Sequence, residues 1–160
     1  MKFRMSGLVL ALLCTANMNG AAMAQQEPYG EDFWYWKFTQ ETVANNVVVC
    51  RATRTDYDGS KVVITQGSNG NHYIGITKPA NVNGTYPNAQ LNLADGPMTV
   101  RAFTKDSWLY FGPLDDWSLD TIVQQQGFVW VVGNASDETD LMMTAPIALN
   151  RVIECIQANS

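Results

Sequence analysis

The 160-residue chain has one histidine, three cysteines and few charges, with only 16% of its residues charged. A single histidine, His72, excludes any site built on a histidine pair. A serine triad would have to recruit His72 with no G-x-S-x-G elbow to support it. The absence of C-x-x-C removes the usual redox-active dithiol. Lysine and arginine number 10 against 15 acidic residues, a balance opposed to nucleic-acid or anionic-lipid binding, which need a basic face. No apolar run approaches the roughly 20 residues that a membrane-spanning helix requires.

What is present begins with an export signal. Lys2 and Arg4 precede an apolar run from Leu8 to Leu13, and Ala22-Met23-Ala24 fits a signal peptidase site. Residues 1–24 therefore read as a leader. Residues 25–160 read as a single β-rich domain, periplasmic or secreted by a bacterium. The leader takes Cys14 with it and leaves Cys50 and Cys155. Two thiols in an oxidising compartment are expected to pair. The bridge would close a loop of about 100 residues, worth up to roughly 4–5 kcal/mol in the chain-entropy account. Without Lys2 and Arg4 the remainder has 8 basic and 15 acidic residues, which permits a basic protein partner.

Alternation and turn chemistry outline the elements. Strands are expected at 33–39, with Trp34, Trp36 and Phe38 toward the core, and at 47–54. Asp58-Gly59 then makes a hairpin into a strand at 61–65. Further strands follow at 72–77, 90–93, 98–103 and 108–111, the last broken by Gly112-Pro113. Leu114 to Gly127 reads as a short helix with carboxylates at its start and a glycine stop. A buried strand at 128–132, an acidic loop at 133–140 and a brief strand at 141–143 come next. Apolar residues at 148, 149, 152, 153 and 156 mark a closing helix with Thr144 at its N-cap. The sum is a mainly β fold, an antiparallel β-sandwich or barrel of about 8–9 short strands with two short helices, one of them C-terminal.

Candidate chemistry is sparse. Asp56-Tyr57-Asp58-Gly59-Ser60 opens like a calcium loop, but Gly67 stands where the twelfth-position glutamate belongs, so a hairpin turn explains it better. Asp137, Glu138 and Asp140, in the 134–140 loop, read as solvated acids rather than a cation site. Asp115, Asp116 and Asp120 suit a helix N-terminus without any catalytic task. No catalytic residue, metal ligand or cofactor is assigned. Trp34, Trp36 and Trp130 are expected in the core. Trp108 and Trp117, near turns and carboxylates, are candidates for partner contact together with His72 and Tyr73.

In order, an aromatic first strand, Val48-Val49-Cys50, Leu109-Tyr110-Phe111-Gly112-Pro113-Leu114, a short helix and the closing Ala145-to-Cys155 segment resemble the invasion-associated locus B family of secreted bacterial proteins. The resemblance implies an exported β-sandwich acting at the envelope or in host-cell entry, a non-catalytic binding protein. It supplies no catalytic residues. Separately, Asn69-Gly70-Asn71-His72-Tyr73 is similar to the Ser-Gly-x-x-Tyr loop of periplasmic lysozyme inhibitors, with Asn69 in place of the serine. That likeness implies the alternative of an inhibitor or immunity protein blocking a lysozyme-like hydrolase.

Overall fold

The computed structural model describes residues 25–160, so residues 1–24, read above as an export signal, and Cys14 among them lie outside the described residues. The strands are β1 (Glu27–Pro28), β2 (Trp36–Thr42), β3 (Val48–Thr55), β4 (Lys61–Gly67), β5 (His72–Thr77), β6 (Thr85–Leu93), β7 (Gly96–Lys105), β8 (Trp108–Leu114), β9 (Gly127–Val132) and β10 (Ala135–Asp140). Helix α1 (Asp116–Gln124) follows β8, α2 (Ala145–Ala158) closes the chain, and a 3-10 turn occupies Ala44–Asn46. The strands form one antiparallel sheet in the order β1-β2-β3-β4-β5-β8-β7-β6-β9-β10. It is a single curled sheet, not two stacked ones: Arg54, near one edge, reaches the carbonyl of Asp140 on the opposite edge strand.

Period-two alternation sorts side chains into inward and outward sets. Register aligns three inward rows across β2, β3, β4, β5 and β8. They are Trp36–Arg54–Val62–Ile76–Leu109, Phe38–Ala52–Ile64–Ile74–Phe111 and Gln40–Cys50–Gln66–His72–Leu114. Helix α2 lies along this inner face. Its start meets the first row, where Trp36 Nε1 donates to Thr144 Oγ1 at 3.1 Å. Its end meets the third row, where Cys155 bonds Cys50 and Asn159 Nδ2 donates to Gln40 Oε1. The disulfide expected from compartment and count is therefore present, and it pins the closing helix to a central strand.

Several elements differ from the sequence reading. The 133–140 segment is strand β10, not a loop. All six of its residues pair with β9, and backbone pairing outweighs the poor strand propensity of its acids because only Thr139 is buried. Leu141 to Met143 is correspondingly not a strand. Trp34 leaves the core: Phe33 and Trp36 exchange backbone hydrogen bonds in a tight turn that delays β2 to Trp36 and turns Trp34 out. Strand β8 continues through Gly112-Pro113 to Leu114. Strand β6 extends back over Pro87, which sits in a register shift where no ladder donor is needed. Helix α1 starts at Asp116 with Asp115 as its cap. Gln126, at φ 61°, takes the left-handed stop expected of Gly127, which instead opens β9.

Candidate functional site

The first-row end of the curled sheet gathers several large exposed apolar side chains. Trp34 is 74% exposed, Tyr57 93% and Met143 77%, and Tyr35 is about half exposed. They come from three separate segments. Trp34 and Tyr35 sit in the turn before β2, Tyr57 in the Asp56–Ser60 hairpin turn, and Met143 just before α2. Tyr35 and Tyr57 meet edge to face, with their hydroxyls 2.6 Å apart. That bond holds the Tyr35 hydroxyl above the ordinary tyrosine range. Met142 joins the two rings around a hollow of about 230 Å³. Trp34 (φ 52°) and Met142 (φ 60°) both adopt the left-handed conformation, an outlier for bulky residues. Strain of this kind gathers where surrounding structure holds a functional surface in place.

Beside this patch, and sharing Asp56 and Met142 with it, opens a cavity of about 460 Å³. Trp130, Val62 and Ile76 line it together with five carboxylates: Asp56, Asp58, Asp137, Glu138 and Asp140. The cations at the cavity are Arg54, Lys61 and Lys78. Arg54 is neutralised by Asp56, its Nε lying 2.8 Å from Oδ1 and its Nη2 donating to Oδ2 at 2.9 Å. The guanidinium lies over the Trp36 ring at 5.6 Å. The Ser60 hydroxyl and amide hold Asp58 below the usual carboxylate range. Among the described residues no set of three or more His, Cys, Asp or Glu is placed to hold a metal ion.

The four residues proposed for partner contact do not come together. His72 is buried in the third inward row, with Nε2 2.6 Å from Asp116 Oδ1 at the start of α1. Trp117, next in sequence, is exposed there. Tyr73 faces outward from β5 and joins Trp108, but both are half-buried in an aromatic ladder on the sheet's outer face. In that ladder Tyr110 is tilted 32° from Trp108 and stacks on Phe103 at 5.5 Å, while the Arg101 guanidinium lies over Phe103. Tyr73 meets Phe103 and Tyr110 edge-on. Burial raises the Tyr110 hydroxyl above its usual range. Gly75 makes this packing possible, since an added Cβ would lie 2.9 Å from the Tyr110 ring.

The exposed rim of Trp34, Tyr35, Tyr57 and Met143 was missed from sequence, although one signal points to it. A tyrosine inside the turn Asp56-Tyr57-Asp58-Gly59 has no core to enter. Compared with known protein families, curated proteins and solved structures, the chain matches none. The disulfide is compatible with an extracytoplasmic protein. No helix among the described residues is long and apolar enough to cross a membrane.

Proposed function

We propose that this is an exported bacterial protein, periplasmic or secreted, that acts without catalysis by binding a basic protein at the envelope or a host surface. The reading carries forward the resemblance to the invasion-associated locus B family. The observation that carries it is the exposed Trp34–Tyr35–Tyr57–Met143 rim. Aromatic and methionine side chains displayed on rigid turns are the anchors of protein interfaces. The carboxylates beside the rim favour a cationic partner and disfavour a second copy of this acidic chain. Binding through such a surface is steered electrostatically and weakens with salt.

The test compares residues 25–160 with a Trp34→Ala/Tyr57→Ala variant against envelope and host-cell extracts. Basic proteins held by the native chain at low salt, released at high salt and absent from the variant support the reading. The same proteins held equally by the variant overturn it, as does a turnover lost on His72→Ala or Asp116→Ala.

The inhibitor reading stands second. Its loop side chains are committed elsewhere: His72 is buried, and Tyr73 packs above Gly112 on the outer face. A lysozyme complex that survives the Trp34/Tyr57 changes and is lost on Asn69→Ala would favour it instead.

A further inference from the structure

The sheet has two edges, β1 and β10, and they are built differently. β1 is two residues long and ends in Pro28, the short, proline-blunted form that protects an edge from further pairing. β10 pairs all six of its residues with β9 in unbroken register and carries no proline or lysine. Ser136, Asp137, Glu138 and Asp140 on it are exposed. We propose that β10 receives an extended basic segment of the partner protein as an added strand. The proposal rests on the reading of this protein as a binder of basic proteins, and names the element with which the partner pairs.

One hydrogen bond gives the direction of the backbone groups. The Leu141 N–H donates to the Gln126 carbonyl. Antiparallel bonding alternates, so the odd-numbered residues of β10 bond β9, while Ser136, Glu138 and Asp140 turn their backbone groups outward. The contact of Arg54 Nη2 with the Asp140 carbonyl fits that alternation and sets one end of the free edge. The Glu138 N–H donates to the Asp137 carboxylate at 2.8 Å. The Ser136 N–H and carbonyl and the Glu138 carbonyl have no hydrogen-bond partner among the described residues. Both residues are exposed, so an incoming strand reaches these groups without displacing any part of the fold.

The unpaired edge makes the site, and charge selects the occupant. Among the described residues no cation forms an ion pair with Asp137, Glu138 or Asp140. Two copies pairing edge to edge would set these acids against one another, which like-charge repulsion disfavours. Lysine or arginine on an added strand would meet them instead. Arg54 already displays that chemistry, a guanidinium donating to an outward carbonyl of this strand. Residues 137–140 also border the cavity of about 460 Å³, which gives the inward side chains of the added strand space beside Val62 and Trp130.

The probe is an acetylated and amidated hexapeptide of alternating lysine and threonine, titrated by NMR into residues 25–160 at low salt. It should saturably shift the backbone amides of residues 135–140 and slow hydrogen exchange at the Ser136 N–H. The same peptide N-methylated throughout keeps its charges but has no backbone N–H to donate, and should bind about tenfold more weakly. A glutamate-threonine peptide should not bind. Ser136→Pro, tolerated where an N–H faces outward, and Glu138→Lys, on an exposed side chain, should each weaken binding about tenfold with the unfolding midpoint near the native one.

Trp34→Ala/Tyr57→Ala should bind the peptide as the native chain does, which separates the edge from the rim. Proteins captured through the rim, with no peptide on β10, overturn the edge proposal alone. Peptide on β10 with no captured protein overturns the partner reading alone. No saturable shift at 135–140, an N-methylated peptide bound as tightly as its parent, or a Glu138→Lys protein that binds like the native chain each defeats the added strand.

Discussion

Arg54 of β3 donates from Nη2 to the backbone carbonyl of Asp140 at 2.6 Å, across 86 residues of sequence. That bond joins the third strand from one edge of the sheet to the strand at the other edge. Asp56 and the Trp36 ring accompany the same guanidinium, so one buried cation closes the curl and floors the acidic cavity.

Arg54→Met should therefore destabilise the domain. It removes the cation from a buried, paired site and leaves the Asp140 carbonyl without its donor. Removing one member of a buried pair costs about 3–5 kcal/mol, and the partial exposure of Asp56 places the expected loss nearer 2–3 kcal/mol. Denaturant unfolding measures it, and a midpoint within error of the native protein would refute the closing role.

Reduction of Cys50–Cys155, or the double change to alanine, should cost up to about 4–5 kcal/mol on the chain-entropy model, given a sequence separation of 105. Equilibrium unfolding with and without reductant is the check. Equal stabilities would show that α2 is held by packing alone.

Gly112→Ala should be more damaging than Gly75→Ala. At Gly112 (φ +143°) a Cβ would lie 2.7 Å from the His72 backbone carbonyl and 2.6 Å from the Tyr73 ring. At Gly75 it would meet only side chains, Val63 at 2.8 Å and Tyr110 at 2.9 Å, in a backbone conformation that alanine adopts freely. Overpacking costs about 1–3 kcal/mol, with Gly75→Ala at the lower end and Gly112→Ala at or above the upper. Thermal unfolding ranks the two, and the reverse order would contradict the ladder geometry.

Tyr110 should ionise later than an ordinary tyrosine, because burial disfavours the phenolate and raises the group from 10.0. Its folded pKa lies above its unfolded one. The stability it contributes is thus fully present below pH 10.0 and lost as pH rises through the folded value. Tyrosinate absorbance during alkaline titration should show a late component that Tyr110→Phe removes. An unchanged titration would place Tyr110 in solvent.

At the acidic side the relevant group is Asp115, whose side chain caps α1 by accepting from the Ser118 amide at 2.7 Å. The Ser118 contacts, with a smaller contribution from His72, hold its carboxyl below the ordinary 3.8. Its contribution is present above pH 3.8 and is lost as pH falls through the lower folded value. Asp115→Asn keeps a good cap without the titration, so its stability should fall less steeply below pH 4 than that of the native protein. Parallel acid-unfolding curves would remove the link.

Local chemistry made much of the fold legible. The β-branched run at 47–54, the Asp58-Gly59 turn and the apolar spacing of 148–156 each name their element, because turn geometry and one-sided burial act over a few residues. The pairing of Cys50 with Cys155 is expected from thiol number and the export reading, and the structure shows the bond. Trp34 shows where that reasoning stops. Its place in an alternating aromatic run points inward, yet hydrogen bonds between Phe33 and Trp36 turn it out. Strand β10 shows the converse, since acidic residues become a strand only when β9 supplies six partners.

The sequence by itself determined a mainly β chain with a closing helix tied back by one disulfide, since those features rest on side-chain period, turn residues and thiol count. Only the tertiary structure decided that one sheet curls until Arg54 meets Asp140. It alone brought Trp34, Tyr35, Tyr57 and Met143 to one end and left β10 at an edge of the sheet. Those outcomes depend on register between strands far apart in the chain, a long-range property that no local pattern encodes.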